Sequence, residues 1–171
     1  MSETRHADTT QVYRVYIKAT PEQVWDAITK PEWTDRFGYG GRTDFDLRAG
    51  APYQTRPSEA MVEAAVDAPW PVPDVIIDGE IVEVDQPRRL VMTWRLLMDP
   101  AVATEGFTRL TYELEPVGAA TRLTVVHELA GAPQLAALVA GEGETQGAGG
   151  GWPWILSDLK SLLETGKTLA Q

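Results

Sequence analysis

Three side chains of types that can move protons stand out in the sequence: His127, Glu80 and Tyr112. His127 is the one histidine outside the first ten residues, and an imidazole changes its charge near neutral pH. It can therefore serve as a proton shuttle or as a polar anchor for a ligand. The other interpretation is a neutral, buried histidine that hydrogen-bonds to a backbone or hydroxyl group, and we favour it. One histidine without cysteine does not make a metal site, so we expect no metal and no cofactor.

Glu80 is the candidate general base. It shares strand parity with Val82 and Val84, which would point its carboxylate inward beside His127. A buried carboxylate has a raised pKa and can accept a proton from a substrate. A bulge near Ile81 would reverse the parity, and a solvated or salt-bridged Glu80 is at least as compatible with the pattern. The sequence has no Gly-x-Ser-x-Gly elbow and no other signature of a nucleophile beside a base.

Aromatic side chains are more numerous than a small core can enclose without leaving gaps. Trp25 and Trp94 are the best candidates for ordinary core packing. The others are able to line an apolar pocket, in which tyrosine hydroxyls and indole N–H groups are the few polar anchors. The predicted ligand-binding residues are Trp33, Phe37, Tyr39, Phe45, Tyr53, Trp70, Met92, Trp94, Tyr112, His127, Trp152 and Leu156.

The glycine-rich run at residues 147–151 precedes the last helix of the chain. Such a position suits an anion. The run lacks the Lys-Ser/Thr pair of a phosphate-binding loop and is not a dinucleotide fingerprint. We favour a flexible hinge.

The composition predicts one globular domain with a sizeable core. The chain has 171 residues, of which 43% are apolar, and its 15 basic and 25 acidic residues give a net charge of −10. That charge argues against nucleic acid or an anionic membrane as the main partner. Cysteine is absent, and no apolar run approaches the roughly 18 residues of a membrane span. We expect a cytoplasmic protein with a disordered tail at residues 1–10 and a single domain at residues 11–169.

Hydrophobic periodicity predicts the elements that position these side chains. Residues 11–18 alternate as a half-buried strand does. Thr20, Pro21 and Gln23 have the spacing of an N-cap, a first helical residue and a capping-box partner, so a helix should follow. Short helices are predicted near residues 31–36, 59–66 and 133–140. The remaining predicted strands are residues 43–47, 52–56, 75–84, 89–97, 108–115 and 121–129.

Strands joined by short turns make an antiparallel sheet with one wet face. The hairpin at residues 79–94 should place Met92 and Trp94 on the other face, beneath a covering helix. Segment 57–74 is long for a connection between strands, and such a segment is more often a functional flap than an idle loop, with disorder as the alternative. Segment 131–151, before the last helix, is also long.

The covering helix is the last one of the chain. It is predicted to open at Pro153 and to stop at Gly166. Its apolar residues recur at helical spacing on one face, while Asp158, Lys160 and Glu164 should face water.

Five stretches carry a resemblance to a known family: residues 19–25, 79–94, 108–114, 121–128 and 151–163. In their order they resemble the START-like superfamily with the helix-grip, or Bet v 1-like, fold. The resemblance implies an α+β domain with a curved antiparallel sheet of about six to seven strands wrapped on a long C-terminal helix. The closest branch is the one named after the activator of the Hsp90 ATPase.

The resemblance also implies a function. The Gly-Gly-Gly-Trp entry to the last helix is similar to a subgroup of enediyne self-resistance proteins, which bind the drug in the cavity between sheet and helix. We therefore expect a small apolar or aromatic ligand, such as an antibiotic or polyketide natural product, bound without catalysis. One alternative is a polyketide cyclase or aromatase in which His127, Glu80 or Tyr112 moves protons. The other is an interaction protein of the Hsp90 co-chaperone kind. A homodimer is common in the branch.

Overall fold

The computed structural model describes residues 9–66, 72–146 and 149–169. Within these ranges one curled antiparallel sheet of seven strands, in the order β1-β7-β6-β5-β4-β3-β2, forms the body of the molecule. Residues 1–8 of the expected tail lie outside the described residues. Thr10, the last residue assigned to the tail, is the first residue of the first strand. The strands are β1 (Thr10–Ile17), β2 (Arg42–Thr43), β3 (Pro52–Arg56), β4 (Ile77–Asp85), β5 (Arg89–Leu96), β6 (Thr108–Val117) and β7 (Ala120–Glu128).

Six helices accompany the sheet in the described part of the chain, and a single 3-10 turn follows the fifth helix. The core lies between the inner face of the sheet and the first and last helices, and it includes apolar residues from β5, β6 and β7. This is the predicted α+β helix-grip architecture. The helices are α1 (Pro21–Thr29), α2 (Pro31–Thr34), α3 (Glu59–Ala64), α4 (Pro100–Ala103), α5 (Pro133–Val139) and α6 (Gly151–Thr165).

Helix α1 begins where the sequence predicts. The Thr20 hydroxyl accepts a hydrogen bond from the Gln23 backbone N–H at 3.2 Å, and the Thr20 backbone N–H donates to the Gln23 side-chain oxygen at 2.8 Å. This reciprocal pair satisfies two amide groups that a helix start otherwise leaves open. The capping box therefore fixes the direction in which α1 leaves β1 and buries Val24 and Trp25 against the sheet.

Strand β4 contains a bulge, and the bulge makes the predicted inward orientation of Glu80 wrong. Ile81 pairs with Met92, but the next paired residue of β4 is Glu83, so one residue is extra on this strand. A bulge of this kind shifts the alternation of side chains by one position. Ile81 is fully buried, whereas Glu80 is exposed.

The predicted strand at residues 43–47 is mostly absent. Strand β2 consists of Arg42 and Thr43 alone, which pair with Arg56 and Thr55 of β3. The Gly50 backbone N–H donates to the Ile81 carbonyl oxygen at 2.7 Å, and the Ile81 N–H donates to the Ala51 carbonyl at 2.8 Å. The hairpin turn is thus bound to β4, and the residues before it leave the sheet.

Helix α6 begins two residues before Pro153. Its first residue, Gly151, has a positive φ of 66°, and a side chain there would place its Cβ 2.2 Å from the Val139 carbonyl oxygen. The chain therefore needs glycine where α5 and α6 meet. At the other end Gly166 adopts the left-handed conformation and closes the helix, as predicted.

Asp158 on α6 is buried, which makes its predicted exposure to water wrong. One carboxylate oxygen accepts a hydrogen bond from the Gly38 backbone N–H at 2.8 Å, and the other accepts from the Leu169 N–H at 2.7 Å. Gly38 comes from a distant segment and Leu169 from the residues after the helix, so the helical periodicity of α6 contains no signal for either donor. We call this arrangement the Asp158 clasp.

No helix among the described residues is long and apolar enough to cross a membrane.

Candidate ligand-binding site

A cavity of about 170 Å³ lies between the sheet and α6. Strands β3, β4, β5 and β6 form one wall, α6 forms the opposite wall, and the loop at residues 35–41 closes one end. Three quarters of the predicted ligand-binding residues line it. They are Phe37, Tyr39, Phe45, Tyr53, Met92, Trp94, Tyr112, Trp152 and Leu156.

Three predicted residues are not found in the cavity wall. Trp33 packs its ring under the Arg36 guanidinium, 4.6 Å from the ring centroid. His127 lies behind the wall, in contact with two aromatic residues that do face the cavity. Trp70 lies outside the described residues. Glu80, the candidate base, is exposed on β4 and does not line the cavity either.

His127 is the centre of a buried hydrogen-bond chain. The Trp152 indole N–H donates to His127 Nδ1 at 3.1 Å. Because an indole N–H can only donate, Nδ1 is unprotonated and Nε2 carries the hydrogen. Nε2 then donates to the Thr108 hydroxyl oxygen at 2.8 Å, and that hydroxyl donates to the Trp94 carbonyl oxygen at 2.9 Å.

Burial lowers the pKa of His127 to about 3. No carboxylate of the described residues contacts the ring to offset the cost of placing a positive charge there. The imidazole is neutral at physiological pH, and both its nitrogens have protein partners. Of the two interpretations of His127, the neutral, hydrogen-bonded one agrees with this geometry, and the residue holds Trp94 and Trp152 in place.

The Tyr53 side chain passes over Gly79 of β4 and reaches the backbone of β5. Its hydroxyl donates to the Thr93 carbonyl oxygen at 2.6 Å, and its ring packs against Phe45 with centroids 5.1 Å apart. A Cβ at Gly79 would lie 2.0 Å from the Thr93 carbonyl oxygen and 2.8 Å from the Tyr53 ring. The glycine therefore leaves room for the tyrosine. Burial, with a smaller effect of Tyr112 and Asp78, raises the pKa of Tyr53 well above its usual range.

Tyr112 presents the one tyrosine hydroxyl of the cavity wall without a hydrogen-bond partner in the described part of the chain. Its ring stands edge-on to Trp152, with centroids 6.1 Å apart. Burial raises the pKa of Tyr112 far above that of a free phenol, so the group keeps its hydrogen. The Tyr112 side chain is partly buried, and it lines the cavity.

Two threonines supply the other polar atoms. The Thr43 and Thr55 hydroxyl oxygens lie 2.7 Å apart, and both residues line the cavity. One of the two donates to the other, which leaves a single hydroxyl hydrogen of the pair uncommitted. Threonines on strands resemble ordinary surface residues in a sequence, so their position could not be predicted.

The cavity reaches the surface at a rim formed by Tyr39, Met61 and Met98. Tyr39 is 45% exposed and Met98 37% exposed, yet both also line the cavity. The rim is held from two sides. The Tyr39 hydroxyl accepts a hydrogen bond from the Gly151 N–H at 2.9 Å, and the Asp158 clasp fixes the residue before Tyr39.

A curled antiparallel sheet that holds a C-terminal helix over such a cavity defines the helix-grip class of α+β proteins. Within that class, the chain belongs to the family described as activator of Hsp90 ATPase homolog 1-like protein, whose model matches residues 18–164. No curated protein matches the sequence.

Solved structures share the fold at low sequence identity. One is DynU16, a putative protein in the dynemicin biosynthetic locus, with 20% identity and a TM-score of 0.61 over 94% of this chain. This chain spans about half of DynU16, 49% of its length. CalU16 from Micromonospora echinospora has 20% identity and a TM-score of 0.55, with 80% of this chain and 69% of CalU16 covered. The Hsp90 activator PFC0360w from Plasmodium falciparum has 18% identity and a TM-score of 0.51, with 71% and 73% covered. These similarities establish the fold alone.

Proposed function

We propose that this protein binds a small apolar or aromatic molecule in the cavity between the sheet and α6, and that it does so as a single START-like domain over residues 11–169. One observation carries the proposal: an aromatic-lined cavity remains in the core between the sheet and α6. Burying about 150 Å² of apolar ligand surface yields about 4 kcal/mol at roughly 25 cal/mol per Å². The loss of ligand freedom on association reduces this figure, so a modest affinity follows.

The placement of the candidate proton carriers favours binding over catalysis. His127 lies outside the cavity with both nitrogens engaged, and Glu80 is exposed. Tyr112 alone faces the cavity, and its raised pKa keeps the phenol protonated at neutral pH, so it is a weak acid and is not available as a base. A general acid–base reaction needs a proton carrier within hydrogen-bond reach of the substrate and a pKa near the working pH. The described cavity wall offers no such group.

The class of natural ligand and its biological role are a more specific part of the proposal. DynU16 belongs to the biosynthetic locus of dynemicin, an enediyne. By this analogy we propose an antibiotic or polyketide natural product as the ligand, bound in self-resistance or during biosynthesis. The cavity volume means that such a molecule is enclosed only in part.

Tryptophan fluorescence tests the binding proposal, because Trp94 and Trp152 face the cavity. Titration with a panel of monocyclic, polycyclic and enediyne-like compounds should give saturable changes for at least some of them. The variant Ile155→Trp fills the cavity from α6, and isothermal titration calorimetry should show at least about tenfold weaker binding, since an overfilled site loses the ligand's contacts. The matched control is Leu163→Trp, on the same helix but away from the cavity.

Two outcomes would overturn the proposal. The first is that no compound of the panel binds. The second is that Ile155→Trp and Leu163→Trp bind equally well, which would place the ligand elsewhere. The first result would favour the co-chaperone function, for which binding to an Hsp90 is the corresponding measurement.

A further inference from the structure

We propose that the cavity accepts one uncharged aromatic ring that carries a hydrogen-bond acceptor, and that the Tyr112 hydroxyl donates to this acceptor. The inference rests on the proposed function and narrows it to a ligand class. A larger natural product would insert one ring-sized arm and leave the rest of its structure on the rim of Tyr39, Met61 and Met98.

The size of the cavity sets the one-ring limit. Its volume is about 170 Å³. A dry apolar cavity of about 150 Å³ binds benzene, whereas pockets for drug-sized ligands have roughly 300–1,000 Å³. A single six-membered ring with a short substituent therefore fits inside, and a fused polycycle does not.

The chemistry of the wall excludes a charged ligand. Among the described residues that line the cavity there is no Asp, Glu, Lys, Arg or His. An ion that enters such a space loses its hydration and gains no opposite charge. The tyrosines agree with this conclusion, because burial raises the pKa of both Tyr53 and Tyr112 and keeps them neutral.

Hydrogen-bond accounting favours Tyr112 among the hydroxyl groups of the wall. The Tyr53 hydroxyl is committed to the Thr93 carbonyl, and the Trp152 indole N–H is committed to His127. The Thr43 and Thr55 hydroxyls have one uncommitted hydrogen between them, but each already has the other as a partner. The Tyr112 hydroxyl keeps its hydrogen and has no partner in the part of the chain that the structure describes. A ligand acceptor would give it a hydrogen bond that the protein does not supply.

The remaining contacts suit an aromatic ring better than an aliphatic one. Tyr112 and Trp152 meet edge to face, and the tilted Phe45–Tyr53 pair faces the same space. Aromatic groups gain from edge-to-face and offset contacts beyond the area they bury. A ligand ring among these four side chains extends an arrangement that already exists.

Four compounds test the limits on ring number and charge, and the need for an acceptor, separately by isothermal titration calorimetry. Acetophenone has one ring and a carbonyl acceptor, and α-methylstyrene is its isostere without the acceptor. Benzoate adds a charge, and 2-acetylnaphthalene adds a second fused ring. At pH 7 we expect acetophenone to bind more tightly than benzoate and 2-acetylnaphthalene. The preference for acetophenone over α-methylstyrene should fall about tenfold in Tyr112→Phe, the value of one lost hydrogen bond, and should be unchanged in Tyr16→Phe. Tyr16 is an exposed tyrosine on β1, outside the cavity wall.

The outcomes distinguish this inference from the proposed function. If no compound of this set or of the wider panel binds, the proposed function itself fails. If ligands bind but benzoate or 2-acetylnaphthalene binds as tightly as acetophenone, the binding function stands and the ligand class is wrong. The ligand class is also wrong if Tyr112→Phe prefers acetophenone over α-methylstyrene as strongly as the unmodified protein does. This conclusion requires that the melting temperature of Tyr112→Phe matches that of the Tyr16→Phe control. The comparison of the four compounds on the unmodified protein decides the size and charge limits without any variant.

Discussion

His127 shows how one residue can shape a binding site without touching the ligand. Its imidazole accepts from Trp152 and donates to Thr108, and it is buried between the β-sheet and α6. Both indoles beside it form part of the cavity wall, while the imidazole itself does not. Replacing this histidine should therefore disturb the wall indirectly.

The lowered pKa of His127 predicts how stability depends on pH. The folded-state pKa is about 3 and the unfolded-state value is about 6.5, so between these values the unfolded chain binds more protons. The stability conferred by the neutral imidazole is fully present above pH 6.5 and declines as the pH falls, by about 1.4 kcal/mol per unit. Urea denaturation at pH 6.5 and pH 5.0 should differ by about 2 kcal/mol from this residue.

His127→Gln is the control for this prediction. A glutamine offers both an acceptor and a donor but does not titrate, so the pH dependence of the variant should be smaller by that amount. Contributions from carboxylates are the same in both proteins and cancel in the comparison. Identical pH profiles would show that the folded-state pKa of His127 is not depressed.

Individual site residues were predictable where burial follows local alternation. Met92, Trp94 and Tyr112 lie on regular strands, so parity was sufficient to place them. Glu80 was misplaced because the bulge at Ile81–Glu83 depends on the pairing with β5, which the local pattern does not encode. The free hydroxyl of Tyr112 was equally unpredictable, since it depends on what the neighbouring side chains leave unpaired.

At the level of secondary-structure elements, the Asp158 clasp joins α6 to Gly38, 120 residues away in sequence, and to Leu169, just beyond the end of the helix. The carboxylate accepts from Gly38 and from Leu169, and it is 3% exposed. Removing it should cost about 1–3 kcal/mol, because two backbone donors lose their partner. We expect Asp158→Ala to unfold at lower urea concentration and to show faster amide hydrogen exchange at Gly38 and Leu169.

Asp26→Ala is the matched control for the clasp. Asp26 forms an exposed ion pair with Lys30 on α1, and a change at such a site should stay within about 0.5 kcal/mol. Equal effects of the two substitutions would mean that the clasp contributes no more than a surface charge. Ligand affinity should fall only in Asp158→Ala, because the rim residue Tyr39 follows Gly38.

Two glycines of α6 allow a test of the contact between α5 and α6. Gly166 has a φ of 80° and open space around it, so Gly166→Ala should cost about 1–2 kcal/mol from the left-handed conformation alone. Gly151 has a similar φ, but a Cβ there would overlap the Val139 carbonyl oxygen. Thermal denaturation should show a clearly larger loss for Gly151→Ala, by about 1–3 kcal/mol of added strain. Equal losses would show that α5 moves away freely.

The elements themselves were largely predictable. Caps and apolar periodicity located α1, α5 and the end of α6, and alternation located β5, β6 and β7. There are two exceptions: β2 ends at Thr43 although the predicted strand continues to Leu47, and α6 starts early where Gly151 packs on the end of α5. In the second case a contact between elements overrides the local pattern.

At the level of the whole molecule, charges on the outer face of the sheet form pairs. Arg89 bonds to both Glu83 and Glu113, and Arg95 bonds to Asp78. Exposed pairs of this kind contribute little to stability, with a median of about 0–1 kcal/mol. The stability of the domain therefore depends mainly on the core, whose incomplete filling is also the basis of the proposed function.

A ligand that fills the cavity should raise the melting temperature of the whole chain in one step. At ten times its Kd, acetophenone should add about 1.4 kcal/mol. For a domain of this size that corresponds to a shift of about 3–6 °C. Differential scanning calorimetry should show a single transition that moves as a unit. Two transitions, of which only one responds to the ligand, would contradict the single-domain proposal.

The fold of the molecule was predictable because the order of elements and five sequence stretches resemble one superfamily, and the family match at residues 18–164 confirms it. The sequence predicts an apolar pocket but not its volume, which is about 170 Å³. The sequence gives the number of aromatic rings but not how tightly they pack. The cavity volume is the space that this packing leaves unfilled.

The hydrogen-bond chain through His127 has a direction that cannot be reversed. It begins at an indole N–H, which can only give a hydrogen, and it ends at a backbone carbonyl, which can only receive one. The imidazole and the hydroxyl between them consequently have a single arrangement that satisfies every member. A wall with one permitted arrangement does not need a ligand to order it, so the Trp152 indole should keep its place when the cavity is empty. The entropic cost of organising this part of the site is then met during folding and does not weaken ligand binding.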